Sequence, residues 1–109
     1  MKLSKKKCIP CEDKTLPSLK PAEVKKLLKE IPGWKIEKGS KAISRTFLFG
    51  DFKEALRFVN QVGKIAEHEG HHQDIALWYN KVELLMFTHS VRGLSENDFI
   101  VAAKINEIV

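Results

Sequence analysis

The spacing of apolar residues switches along this chain from a helical period to strict alternation and back, and that order constrains the fold most strongly. Helical spacing predicts three helices: residues 21–30, a second between Asp51 and Gly70, and a third from Ser95. Alternation predicts two pairs of strands: residues 34–37 with 41–49, and residues 74–79 with 82–90. Because a short turn joins each pair, the paired strands run antiparallel. The chain is therefore predicted to be a single α+β domain in the order α-β-β-α-β-β-α, with its helices packed on the sheet.

Capping residues mark where these helices begin and end. Pro21 suits the first position of a helix, because the N–H that proline lacks has no partner there. Asp51, with a glutamate three residues later, resembles a capping box, and Gly70 suits the left-handed residue that ends a helix. Ser95 begins another N-terminal capping signal, which includes Asp98. The boundary signals therefore agree with the periodicity.

The length of 109 residues and a hydrophobic content of 43% support one ordinary core that needs neither disulfides nor a structural metal. No apolar run approaches the roughly 18 residues of a membrane span, and no apolar segment follows the basic N-terminus as a secretion signal requires. We therefore expect a cytoplasmic protein with no membrane partner. The net charge of +5 is mild and lysine far outnumbers arginine, so a nucleic-acid partner is not expected either.

Residues 1–12 are the most basic segment, because several lysines lie within the first seven positions. We expect a flexible tail there and a folded domain over residues 13–109. Cys8 and Cys11 have the C-x-x-C spacing, which could belong to a redox pair or to half of a zinc site. No strand precedes them, as a thioredoxin-like redox motif would require, so the pair is interpreted as structural or incidental.

Three of the four histidines fall within five residues, in the segment His68-Glu69-Gly70-His71-His72. This segment matches the H-E-x-x-H motif, which binds zinc when both histidines lie one turn apart on a helix. Gly70 is predicted to end the helix inside the motif, so that His72 loses its alignment with His68. A zinc hydrolase is therefore disfavoured, and His68 is interpreted as a solvated residue at a helix end.

The fourth histidine, His89, lies at the end of the last predicted strand. Antiparallel pairing would bring that end back towards residues 71–73, so His71, His72 and His89 are predicted to converge at one end of the sheet. Imidazoles titrate near neutrality, and such a group could add or remove water by proton transfer without a metal. Consecutive strand residues point to opposite faces, so His71 and His72 can share a site only where the junction is irregular.

The histidines belong to a longer pattern, in which Glu67 precedes His71-His72, His89 follows, and Asp98 comes last. The surrounding segments are E-G-H-H-Q-D-I, the pair T-H, and G-L-S-E-N-D-F. Together they resemble the signature of the pterin-4a-carbinolamine dehydratases. The Pro-Gly-Trp turn at residues 32–34 and the N-terminal C-x-x-C also resemble bacterial-type members, so the likeness covers nearly the whole chain.

The resemblance implies a single domain with a four-stranded antiparallel sheet and three helices packed on one face. It also implies a homo-oligomer, either a dimer that joins two sheets edge to edge or a tetramer formed through helices. The implied reaction is loss of water from a 4a-hydroxytetrahydropterin to give the quinonoid dihydropterin, as in tetrahydrobiopterin recycling. That chemistry requires two proton transfers and no metal or other cofactor.

The family's site residues carry over by position in the sequence. His71 and His89 are the implied acid–base pair, and His72 would hold or polarise the pterin. The implied substrate-binding residues are Glu67, Gly70, Thr88, Ser90 and Asp98. Which histidine acts as the acid stays open. Asp98 has a capping role as an alternative to its role in the site, and the two can coexist.

Gln73 departs from the family pattern, which usually has proline directly after the histidine pair. Proline would restrict the backbone of His72 to extended conformations, whereas glutamine does not. The departure bears on activity rather than on fold. The alternative function is a non-enzymatic interaction or assembly protein on the same fold, as some relatives are, but the presence of all three site histidines favours the enzyme.

Overall fold

The computed structural model describes residues 2–9, 17–37 and 39–109. Their main elements, in chain order, are α1 (Pro21–Leu28), β1 (Lys35–Glu37), β2 (Ala42–Leu48), α2 (Phe52–Glu69), β3 (Asp74–Trp78), β4 (Lys81–Met86) and α3 (Glu96–Asn106). Short 3-10 turns occur at Leu3–Lys5 and His89–Val91. The predicted order α-β-β-α-β-β-α is therefore confirmed.

The sheet has the strand order β1-β2-β4-β3, and every neighbouring pair is antiparallel. The two hairpins lie side by side, because β2 of the first pairs with β4 of the second, with Ile43 opposite Met86. This register places Ile43, Phe47, Val82, Leu84 and Met86 on the same side of the sheet. All five side chains are buried.

The core lies between that side of the sheet and the helices. Its members include Val24 of α1, Val62 of α2 and Phe99 of α3, all with no exposed area. Burying an aliphatic or aromatic side chain of this size stabilises a fold by roughly 1.5–3 kcal/mol. Because all three helices contribute to the one cluster on one side of the sheet, the predicted packing on a single face is confirmed.

α2 leads from the far end of the molecule to the histidine segment. Its first turn is capped by Asp51, whose side chain accepts a hydrogen bond from the Glu54 N–H at 2.9 Å. Its last residue is followed by Gly70, which is left-handed with φ 65°. Both predicted caps are confirmed. Within the described residues, no helix is both long and apolar enough to cross a membrane.

β4 ends at Met86, so the predicted strand over residues 82–90 is wrong at its C-terminal end. Beyond it Thr88 pairs with Gly93 in an isolated bridge, with N···O distances of 2.7 and 3.4 Å. The 3-10 turn lies inside this bridge and is closed by Arg92 at φ 53°. His89 therefore lies in a tight turn and not in a strand. The prediction was too long because the alternation of apolar residues continues past the last hydrogen bonds of the strand.

Residues 2–9, called the N-terminal strap below, lie against α3. Leu3 is 5% exposed and Cys8 is 8% exposed. Lys6 Nζ lies 3.1 Å from Glu96 Oε2, and Lys104 donates from Nζ to the Ser4 carbonyl at 2.9 Å. The sequence predicts a flexible tail over residues 1–12, and these contacts differ from that expectation for residues 2–9. Residues 10–12, with Cys11, lie outside the described residues.

Candidate active site

The turn after α2 separates the histidines of the H-E-x-x-H segment. The Gly70 N–H donates to the Glu67 carbonyl at 3.3 Å and the His71 N–H to the Ala66 carbonyl at 3.1 Å. His68 is therefore on the helix, whereas His71 and His72 follow it in irregular backbone. The helical zinc arrangement is not formed. In the described part of the chain, no three histidine, cysteine or acidic side chains are grouped so that they could hold a metal ion.

His71 and Asp98 form a buried pair. Nε2 of His71 lies 2.7 Å from Oδ1 of Asp98, and the two side chains are 2% and 0% exposed. A carboxylate oxygen can only accept a hydrogen bond, so Nε2 of His71 carries the hydrogen in this contact. The pair joins the loop after α2 to the first turn of α3. It fixes the plane and the tautomer of the imidazole.

The second oxygen of Asp98 holds the end of β4. Oδ2 accepts from Thr88 Oγ1 at 2.8 Å and from the Ser95 N–H at 3.0 Å. The Thr88 and Ser95 hydroxyls also lie 2.8 Å apart. Asp98 therefore completes the capping box of α3 and contacts His71 at the same time. Thr88 and Asp98 have no exposed area, so both predicted substrate-binding side chains are engaged with protein groups.

His89 follows Thr88 directly and is exposed. Its ring packs edge to face on Phe87, with centroids 4.5 Å apart. The two rings line a cavity of about 250 Å³ together with Lys41, Arg92 and Gly93. Ser90 is exposed as the next residue of the turn.

His72 and Glu67 form a second, open pair. His72 Nε2 lies 3.6 Å from Glu67 Oε2, and the side chains are 62% and 81% exposed. Both residues line a cavity of about 660 Å³ between α2 and the start of β3. The remaining lining residues are Asn60, Gly63, Lys64, Ala66, Gln73 and Ile75. Small-molecule sites are of this order of volume, roughly 300–1,000 Å³.

The structure brings some of the predicted site residues together and separates others. His71, Thr88 and Asp98 share one hydrogen-bonded network, and His72 lies beside Glu67. His72 and His89 line different cavities, and His71 lines neither of these two. Their convergence in one site stays a prediction.

Glu69 is a buried residue of this region that the sequence analysis did not single out. Its Oε1 accepts from the Cys8 N–H at 2.9 Å, and its Oε2 lies 3.6 Å from Lys104 Nζ. Burial alone would raise the pKa of the Glu69 carboxyl, but the Cys8 hydrogen bond and the Lys104 charge outweigh it, so the pKa lies below the ordinary 4.5. The sequence places Glu69 on the apolar stripe of Val62 and Ala66, but it does not identify the partners of the carboxylate.

The N-terminal strap contacts the same region through Cys8 and Ile9. Burial, followed by the negative charge of Glu69, raises the pKa of the Cys8 thiol from 9.0 to about 12. The Ile9 N–H donates to Asn97 Oδ1 at 2.9 Å, and Asn97 Nδ2 donates to the Ile9 carbonyl. Asn97 precedes Asp98, so the strap is bonded to the turn of α3 that carries the buried carboxylate.

These features define a class of protein: an α+β domain in which a buried imidazole–carboxylate pair lies where two helices and a strand end meet. Residues 17–108 match the family model described as pterin 4 alpha carbinolamine dehydratase. The chain belongs to that family, as its sequence motifs predict.

Relatives of this chain carry names that agree with the family model. One from Rubrobacter xylanophilus, provisionally named a pterin-4-alpha-carbinolamine dehydratase, is 41% identical over 106 residues, which is 97% of each chain. Another with the same provisional name, from Chlorobium luteolum, is 44% identical over 108 residues and covers 97% of this chain and 94% of its own. The crystal structure of a transcriptional coactivator/pterin dehydratase from Brucella melitensis has a TM-score of 0.80 at 36% identity. That match covers 84% of this chain and 98% of the other, so the fold is shared over nearly the whole domain.

Proposed function

We propose that this protein removes water from a 4a-hydroxytetrahydropterin and releases the quinonoid dihydropterin, as a step in tetrahydrobiopterin recycling. The C4a–O bond breaks, and the leaving oxygen takes a proton from a general acid. The proton on N5 passes to a general base, and the N5=C4a bond forms. One proton is supplied and one is taken up, so the reaction requires no redox partner, no metal and no further cofactor.

The buried pair of His71 and Asp98 is the observation that carries this proposal. Asp98 accepts from Nε2 and so fixes the orientation of the His71 ring, which is the first acid–base group of the proposal. A carboxylate in this position orients the imidazole, as in other histidine-based acid–base sites. We assign Asp98 and Thr88 as positioning residues, because both are fully buried.

The other site residues take roles that suit their exposure. His89 is the second acid–base group, held at a fixed distance from the pair because it follows Thr88. His72 and Glu67 contact the pterin from the larger cavity. Gly70 contributes from the turn that precedes His71, and Ser90 from the turn that contains His89. We also propose that the protein is a cytoplasmic homo-oligomer whose partner is the small-molecule substrate.

A non-enzymatic role on the same fold is the second candidate. The Brucella melitensis structure is described as both a transcriptional coactivator and a pterin dehydratase, so one domain of this shape is associated with both activities. The two candidates differ in one respect that can be measured: only the enzyme requires the histidines. Catalysis is therefore the first property to test.

The test is the rate at which a freshly generated 4a-hydroxytetrahydropterin dehydrates, with and without the protein, in the presence of a chelator. We expect clear acceleration. His71→Ala and His89→Ala should each reduce it by at least about 100-fold, which is typical of the loss of an acid–base group.

The matched control is His68→Ala, because His68 is 74% exposed on α2 and takes no part in the proposed chemistry. Its activity should equal that of the wild type. Unchanged rates in the His71 and His89 variants would exclude them from catalysis. No acceleration by a folded wild-type sample would favour the non-enzymatic role, and activity abolished by the chelator would overturn the metal-free mechanism.

A further inference from the structure

The side-chain amide of Gln73 is buried without hydrogen-bond partners in the part of the chain that is described. Its side-chain oxygen and nitrogen are both buried, and neither has a hydrogen-bond partner among the residues that the structure describes. A buried polar group without a partner costs roughly 1–3 kcal/mol, so such groups are rare in folded proteins. An amide has one strong acceptor and two donors, and Gln73 leaves both functions unused.

Gln73 lies beside residues of the proposed substrate site. Gln73 lines the 660 Å³ cavity that also contains His72 and Glu67, two residues of the proposed substrate site. The terminal torsion of glutamine is broad, so the amide can exchange its oxygen and nitrogen in place, but contact with a ligand in the cavity requires a different χ1 or χ2 rotamer.

The chemistry of a pterin matches that of a carboxamide. The pyrimidinone edge of the ring presents the N3–H donor next to the C4 carbonyl acceptor. A glutamine amide presents the opposite pair, with Oε1 to accept and Nε2 to donate. Two parallel hydrogen bonds can therefore form between Gln73 and this edge, as in other bidentate contacts.

We propose that Gln73 is a substrate-binding residue of this chain, which holds the N3–H and C4 carbonyl edge of the pterin in the cavity beside His72. The inference rests on the proposed function and deepens it, because it names the part of the ligand that the cavity selects. The ligand would supply the hydrogen-bond partners that the Gln73 amide lacks among the described residues. Loss of the amide should therefore weaken ligand binding more than it slows the chemical step.

The test compares two unreactive ligands, a 7,8-dihydropterin and its 3-methyl derivative, in which the N3–H is replaced. Binding is followed by the intrinsic fluorescence of the pterin. The wild type should bind the unmethylated ligand about tenfold more tightly, and Gln73→Leu should reduce that preference to about one. Gln73→Pro, which also removes the amide, provides a second variant with the same expectation. Gln61→Leu is the matched control, since Gln61 is an exposed glutamine of α2 outside this cavity.

Dehydration is measured on the same samples, because it tests the proposed function separately from the role of Gln73 in binding. We expect Gln73→Leu to raise KM about tenfold with kcat within about twofold of the wild type. An unchanged preference for the unmethylated ligand in both Gln73 variants, with dehydration intact, would overturn this inference alone. A wild type that neither binds the dihydropterin nor dehydrates the substrate would overturn both.

Discussion

Asp98 joins three parts of the protein with one carboxylate. Its oxygens accept from His71, from Thr88 and from the backbone of Ser95, so the loop after α2, the end of β4 and the first turn of α3 meet at a single residue. A helix cap and an acid–base site therefore share the same group. Stability and catalysis should respond together when that group is altered.

Asp98→Asn tests this coupling with a side chain of the same shape. The amide replaces one accepting oxygen by an NH₂ donor, so either the Ser95 N–H loses its acceptor or the His71 imidazole must change its tautomer to accept from the amide. We expect the free energy of unfolding to fall by about 1–3 kcal/mol and the dehydration rate to fall with it. Urea unfolding and the dehydration assay measure the two effects. Asp74→Asn, at an exposed aspartate, should change neither, and an unaffected Asp98 variant would contradict the coupling.

At the residue scale, the sequence predicts what depends on near neighbours. Gly70 as a left-handed cap and Ser95 with Asp98 as a capping box follow from spacing alone, and both are confirmed. The contact between Asp98 and His71 spans 27 positions, and no local pattern encodes it. Glu69 was missed because a carboxylate on an apolar stripe becomes meaningful only when its partners, Cys8 and Lys104, are known.

At the scale of elements, the N-terminal strap stabilises α3 through Leu3. Its side chain is buried, whereas the lysines around it are partly or fully exposed. Leu3→Ala should lower the free energy of unfolding by about 2–5 kcal/mol, as expected for a buried leucine. Lys7→Ala, an exposed neighbour, should have almost no effect. Chemical denaturation of both variants decides the matter, and equal stability of the two would show that the strap behaves as a tail.

The contact between the strap and α2 should depend on pH through Glu69. Its folded-state pKa is lowered, so the stabilisation it provides is present above its unfolded pKa of about 4.5 and is lost as the pH falls through the folded value. Glu69→Gln should therefore lower Tm at pH 7 and make less difference below pH 4. Thermal unfolding at the two pH values measures this. For Glu83→Gln, at an exposed glutamate of β4, the difference in Tm from the wild type should be the same at both pH values.

Local sequence signals do not describe the contacts that the N-terminal strap and the end of β4 make with α3. The lysines of the first seven residues predict a tail, because a single buried leucine has little weight in a window of charges. Alternation predicts that β4 continues to residue 90, because its residues keep a period of two after the sheet hydrogen bonds stop at Met86. Both outcomes depend on tertiary packing against α3, which periodicity does not contain.

At the scale of the whole molecule, the described surface retains apolar area that one chain does not cover. Leu48 is 74% exposed and Tyr79 is 68% exposed, and β1 and β3 form the two edges of the sheet. If the protein is the proposed homo-oligomer, light scattering should give two or four times the chain mass of 12.4 kDa. A mass of one chain at micromolar concentration would contradict that assembly.

The central pairing of β2 with β4 also has a consequence for the order in which the protein folds. Residues 49–80 lie between these strands, and they contain α2, the histidine turn and β3. Pairing strands that far apart costs more loop-closure entropy than forming a helix or a hairpin, and such non-local contacts slow folding. We therefore expect the contact between His71 and Asp98 to form late, and a chain stalled before the two hairpins dock would have its secondary structure but no assembled site.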